Sequence, residues 1–165
     1  MFLFTGFKRL LFHNQEKEAM SLKKLIAKVE IDIVAPIEKV WEAFVNPAII
    51  HEYMFGTNVS SKWKPGSSIT WSGEWEGKPY RDEGKILTLD PPRHLQYTHI
   101  TSNDAELAKF ENTHLVDINL LSEGNKTHVT LEQDNNMNEK AKSDSEKNWD
   151  MMLKSLKSLL EKTIG

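Results

Sequence analysis

From about residue 68 to residue 134 apolar residues recur at every second position, interrupted by short turns; from Ser143 onward they recur every three or four. This switch of period constrains the fold more than any other feature. Strands with a period of two need one face buried, and the large apolar element available to cover that face is the final segment. In "SDSEKNWDMMLKSLKSLLEK", Trp149, Met152, Leu153, Leu156, Leu159 and Leu160 share one helical face, while Lys147, Lys154, Lys157 and Lys162 read as a solvated face. Ser143, with Glu146 three residues later, predicts a capping box. A helix of about 20 residues would be roughly 30 Å long, enough to cross a whole sheet.

The preceding segments supply the sheet. In "KVEIDIV", residues 28–34, Val29, Ile31 and Ile33 alternate with Lys28, Glu30 and Asp32, as in a half-buried antiparallel strand. Ala35-Pro36 ends it, and two short helices follow: "IEKVWEAFV", with Ile37, Val40, Trp41 and Phe44 at helical spacing, and "PAIIHEYM", opened by Pro47. Turns at "KWKPGSS", "EGKP", "PPR" and "SEGNK" separate the strands "SITWSGEW", "YRDEGKILTLD", "HLQYTHIT", "THLVDINLL" and "THVTLEQD". In the first of these turns Pro65-Gly66 has the type II arrangement. The expected order is one strand, two helices, about six strands and one long helix. That is an α+β fold in which a curved antiparallel sheet of about six to seven strands grips the last helix.

Composition narrows the function classes. With 165 residues the chain makes one domain with a proper core. The net charge of −3 gives no field for nucleic acid, and no basic–aromatic groove supports such binding. The absence of cysteine removes disulfides, thiolate zinc sites and a cysteine nucleophile, and suits a cytoplasmic location. Residues 1–22, "MFLFTGFKRLLFHNQEKEAMSL", read as a poorly ordered tail, or as sequence upstream of a true start at Met20, ahead of one domain over residues 23–165. The apolar run there precedes Lys8 and Arg9, the reverse of a secretory signal, and is far short of the roughly 20 residues of a membrane span.

The element order and several stretches together resemble a known family. "VEIDIVAPIEKVWEAFVNP", "KPGSSITW", "EGKILTLDPPRHLQYTH", "THVTLEQD" and "NWDMMLKSLKSLLEK" span residues 28–162. They are similar to the helix-grip proteins of the Bet v 1/START-like (SRPBCC) superfamily. Within it they resemble the bacterial homologues of the C-terminal domain of the activator of the Hsp90 ATPase. The resemblance implies a cavity between the concave sheet and the last helix. It also implies three functions for comparison: a pocket for a small ligand, a co-chaperone-like module for an Hsp90-type chaperone, and a polyketide cyclase-like enzyme.

Candidate pocket residues follow from parity. Trp71 and Trp75 share a strand face with Gly73 between them, a gap that a cavity, a bulge, a close approach or a bend in the sheet would use. Tyr97 and Trp149 complete the aromatic wall; Met152, Leu153 and Leu156 form the helix side, and Met54 and Phe55 the mouth. Tyr80, His99 and His114 are the candidate polar groups. A hairpin centred near Glu106 would make His99 and His114 cross-strand neighbours on the buried face. Two histidines are too few for a zinc site, and the chain carries no nucleophile elbow, P-loop, dinucleotide fingerprint or H-E-x-x-H pair. His51, His94 and His128 read as isolated surface residues; Asp32, Asp82 and Glu83 read as solvated, and Asp117 and Glu132 as pointing outward. The expectation is a non-enzymatic pocket protein, monomeric or weakly dimeric, with no cofactor and no metal, binding a small apolar or aromatic ligand.

Overall fold

A computed structural model describes residues 25–101 and 113–162. The chain runs β1 (Ala27–Ile33), α1 (Ile37–Val45), α2 (Pro47–Tyr53), β2 (Asn58–Ser61), β3 (Ser68–Trp75), β4 (Lys78–Asp90), β5 (His94–Thr101), β6 (Thr113–Glu123), β7 (Lys126–Gln133) and α3 (Glu139–Lys162). Seven strands form one curved antiparallel sheet in the order β1-β7-β6-β5-β4-β3-β2. Strands β2 to β7 pair with their neighbours in sequence, and β1 joins β7 across the sheet. This is the helix-grip arrangement. β2 is the strand that periodicity does not reveal: at four residues, with only Val59 buried, it is too short to show alternation.

Alternation in the sequence becomes burial in the sheet. Val29 and Ile33 of β1, Val116, Ile118 and Leu120 of β6 and Val129 and Leu131 of β7 all face the core. Met152, Leu153, Leu156 and Leu160 of α3 close it from above, and Val40, Trp41, Ala43 and Phe44 of α1 close one end. Asn46 caps α2 by accepting from the Ala48 backbone N–H at 3.0 Å, and the Tyr53 hydroxyl donates to the Ala43 carbonyl at 2.8 Å, locking α2 to α1. In the turn before β3 the Ser67 N–H donates to the Lys64 carbonyl at 2.9 Å. Gly66 takes φ +85° there, the positive angle that a type II turn demands.

Two expectations about α3 change. The helix begins at Glu139, ahead of Ser143, and is capped by Asn138, whose Oδ1 accepts from the Ala141 N–H at 2.8 Å. Ser143 therefore lies inside the helix and caps nothing. Lys157 does not belong to a solvated face: its ammonium donates to the Asp32 carbonyl at 2.6 Å and to Glu161 Oε1 at 2.8 Å. Glu161 in turn accepts from the Val34 N–H at 2.9 Å, and Glu146 from the Lys28 N–H at 3.3 Å. β1 is an edge strand, and these side chains of α3 occupy backbone groups that an edge would otherwise leave open to pairing with another chain.

Candidate functional site

Where the N-terminal half of α3 passes over the ends of β3–β6, the space between helix and sheet is not filled. A cavity of about 720 Å³ opens there. Its apolar wall includes Met54, Phe55, Trp75, Trp149 and Met152; its polar wall includes Thr57, Tyr80, Asp82, His99, His114 and Gln133. An adjoining space of about 90 Å³ is lined by Trp71 and Tyr97. The Trp71 ring packs against Tyr97 and His99, each with centroids 5.1 Å away. Burial raises the Tyr97 phenol well above its ordinary pKa, so it is a neutral wall.

The polar wall is built by strand register. Trp71 is paired with Asp82, and cross-strand partners share a face, so Asp82 points inward. His99 is paired with His114, as the parity argument required, and their ring centroids are 6.4 Å apart. His99 Nε2 donates to Asp82 Oδ2 at 2.9 Å, and His114 Nδ1 donates to the Asp134 carbonyl at 2.9 Å. A carboxylate behind an imidazole fixes its tautomer and orientation, which equips His99 to exchange a proton with a bound molecule. Tyr80 Oη lies 2.6 Å from Thr57 Oγ1, and the Trp149 indole N–H donates to Gln133 Oε1 at 2.6 Å.

Gly73 marks a close approach rather than an open gap. It is paired with Tyr80, and a Cβ built on it would stand 2.8 Å from the Tyr80 hydroxyl oxygen. The gap between the tryptophans is occupied by that phenol ring, which Gly73 allows to lie flat across the strand. Trp75 is a second departure. It is 54% exposed, because β3 ends there in the Glu76–Gly77 turn, and it sits at the rim edge-on to Phe55, itself 52% exposed, with centroids 6.4 Å apart.

Of the residues expected to form a pocket, Met54, Phe55, Trp75, Tyr80, His99, His114, Trp149 and Met152 line the main cavity, and Trp71 and Tyr97 its smaller neighbour. Leu153 and Leu156 do not line it; both are fully buried in the packed half of the helix–sheet interface. Asp82, Gln133 and Thr57 are the lining residues of the inner polar wall that sequence reasoning missed. Two of them were within reach of the parity rule. Asp82 and Tyr80 alternate with the buried Ile86, and Gln133 alternates with Val129 and Leu131.

The outer sheet face carries its own pairs. His128 and Asp32 are cross-strand partners with Nδ1 2.6 Å from Oδ1, and Lys126 Nζ lies 2.9 Å from Asp32 Oδ2. Hydrogen bonds from His128 and then Lys126 hold the Asp32 carboxyl below its ordinary pKa, and the bond to Asp32 raises His128. His94 is likewise partnered, with Nε2 2.6 Å from Asp117 Oδ1. Neither His94 nor His128 is isolated, and Asp32 is not simply solvated. Asp32, Glu123 and His128 place ligand atoms within 4.8 Å of one another, but the Lys126 ammonium already stands among them, 3.8 Å from Glu123. Among the described residues no helix is long and apolar enough to cross a membrane.

Comparison with known proteins agrees with this architecture. A family model described as Activator of Hsp90 ATPase homolog 1-like protein matches residues 34–161. The solution structure of ChR145 from Cytophaga hutchinsonii is 50% identical over 84% of this chain and 95% of that one, with a TM-score of 0.73. The crystal structure of MLL2253 from Mesorhizobium loti is 23% identical, covering 84% and 98%, with a TM-score of 0.72. The solution structure of the Aha1 dimer from Colwellia psychrerythraea is 21% identical, covering 82% and 96%, with a TM-score of 0.65. The last two are similar in fold. No curated protein matches the chain.

Proposed function

The chain belongs to the family of activator of Hsp90 ATPase homolog 1-like proteins, and we propose that this member binds a small aromatic or largely apolar molecule between its sheet and its C-terminal helix. The observation that carries this reading is the cavity of about 720 Å³, whose aromatic and thioether walls converge on a few placed polar groups. Ligand sites of roughly 300–1,000 Å³ share that make-up: apolar surface supplies affinity, and a small number of polar contacts fix orientation. Trp149 and Met152 form the helix side, Trp71 the floor, and Phe55 with Trp75 the rim.

Binding to the folded state alone stabilises it. At a ligand concentration of about 100 times Kd the gain is about 2.7 kcal/mol, a clear rise in melting temperature. The test is native mass spectrometry of the purified protein, followed by thermal shift against a panel of aromatic compounds. A bound mass released on unfolding, or a concentration-dependent rise in Tm, is the expected result. A clean apo mass together with a panel that never moves Tm would sink the reading.

The exposed Phe55–Trp75 pair favours a second reading, contact with an Hsp90-type chaperone through that rim. Pull-down with the chaperone, its ATPase rate, and the double variant Phe55→Ser/Trp75→Ser distinguish it. Binding lost in the double variant supports the contact. No binding at tens of micromolar removes it.

A further inference from the structure

The geometry points to a ligand class: the cavity selects aromatic molecules that donate hydrogen bonds, phenols above all, and rejects carboxylates. This inference rests on the cavity being a ligand site.

Asp82 can only accept, so the proton of the 2.9 Å contact sits on His99 Nε2, and Nδ1 of the neutral ring keeps a lone pair. The Asp134 carbonyl can only accept, so His114 carries its proton on Nδ1, and Nε2 keeps the lone pair. Thr57 Oγ1 donates to the Met54 carbonyl at 2.7 Å, so the hydrogen in its 2.6 Å contact with Tyr80 comes from the phenol. Tyr80 Oη is thereby left with lone pairs only. The Trp149 N–H is given to Gln133, and the Ser145 hydroxyl to Asn136 Oδ1 at 2.9 Å.

The strand wall formed by Tyr80, His99 and His114 therefore offers acceptors and has its donors committed, and Asp82 adds a negative charge behind the acceptors. Gln133 Nε2 donates one N–H to Ser145 Oγ at 3.4 Å; the remaining lining amide N–H groups are the second of Gln133 and those of the exposed Asn148. A phenol brings the missing hydrogen and a ring for Trp71 and Trp149. A carboxylate brings lone pairs to lone pairs and charge to like charge. The exposed rim residue Lys78 is the lining cation and Glu76 a lining anion, so the mouth does not reverse the preference.

The experiment uses matched skeletons at about pH 8, above the ordinary range of imidazole. Affinities of 2-naphthol, 2-methoxynaphthalene and 2-naphthoate are measured by calorimetry and tryptophan quenching, then repeated with 4-phenylphenol, 4-methoxybiphenyl and biphenyl-4-carboxylate. The expected order is phenol tightest by about tenfold over the methyl ether, the worth of one hydrogen bond in a desolvated site, with the carboxylate weakest. In Asp82→Asn the carboxamide can donate to His99 Nε2, which moves the ring proton to Nδ1 and removes the charge. The phenol-to-carboxylate affinity ratio should fall several-fold. Tyr80→Phe, which deletes one acceptor and keeps the ring, should narrow the preference for phenol over ether. Equal binding of phenol and ether, or tighter binding of the carboxylate, overturns the selection rule while leaving the pocket intact. An unchanged ratio in both folded variants also overturns it. Failure of both skeletons, with the wider panel silent, removes the pocket reading and this inference with it.

Discussion

Gly84 is fixed by a backbone oxygen. A Cβ added there would stand 1.7 Å from the Thr98 carbonyl and 3.3 Å from Trp71 Cζ3. Strands cannot absorb that overlap by rotating a side chain, so Gly84→Ala must push β4 away from β5. The expected cost is at or above the roughly 1–3 kcal/mol of an overpacked core, read as a lower urea midpoint with an unchanged slope. A variant as stable as the parent would mean the two strands are not held this closely in solution. Gly73→Ala presses on the tip of the Tyr80 ring, which can swing, and should cost less while breaking the Tyr80–Thr57 contact. A glycine within a strand was legible as a close approach; which neighbour approaches was not, because that depends on register. Asp82 shows the same limit. Its parity with Ile86 was in the sequence, but a charged side chain between Arg81 and Glu83 reads as solvent-facing until Trp71 is known to lie opposite.

Element by element, the strands with full alternation and the apolar stripe of α3 were legible, because burial on one face leaves a period that needs no partner to be seen. The start of α3 was not. Its first turns, from Glu139 to Ser145, carry no apolar stripe, so the period begins only near Trp149 and a plausible cap at Ser143 takes the place of the true one. This sets a direct comparison. Asn138→Ala removes the side chain that accepts from Ala141 and should destabilise by about 1 kcal/mol, whereas Ser143→Ala, inside a helix, should be neutral or slightly stabilising. Thermal melts of the two variants decide it, and the opposite ranking would restore the cap at Ser143. Periodicity also could not say which turns of α3 meet packed sheet and which meet the cavity. Leu153 and Met152 are adjacent and both buried, yet of the two only Met152 lines the open space, because successive side chains leave the helix about 100° apart and turn to different neighbours.

At the scale of the whole molecule, the seam joining β1 to β7 and α3 is electrostatic and titrates. Asp32 is held below its ordinary value of 3.8 by His128 and Lys126, and Glu161 below 4.5 by Lys157 and then the Val34 N–H. Each contributes stability that is present above those ordinary values and lost as pH falls through the depressed folded value. His128 is raised above 6.5 by Asp32, so its contribution is complete below 6.5 and fades as pH climbs through the raised folded value. The seam is therefore strongest between about pH 4.5 and 6.5. Because β1 joins the sheet through β7 and its open edge is held by Lys157 and Glu161, loosening the seam weakens the closure of the whole sheet on its helix. Melting temperature followed from about pH 3 to pH 8.5 should fall on both sides, and His128→Asn should flatten the alkaline limb while the acid limb keeps the part that Lys126 and the Lys157–Glu161 pair supply. Because these groups lie at the surface, about 0.5 M salt should shrink the difference between the two proteins. Parallel curves for parent and variant across the alkaline limb would show that the His128–Asp32 pair does not couple protonation to folding.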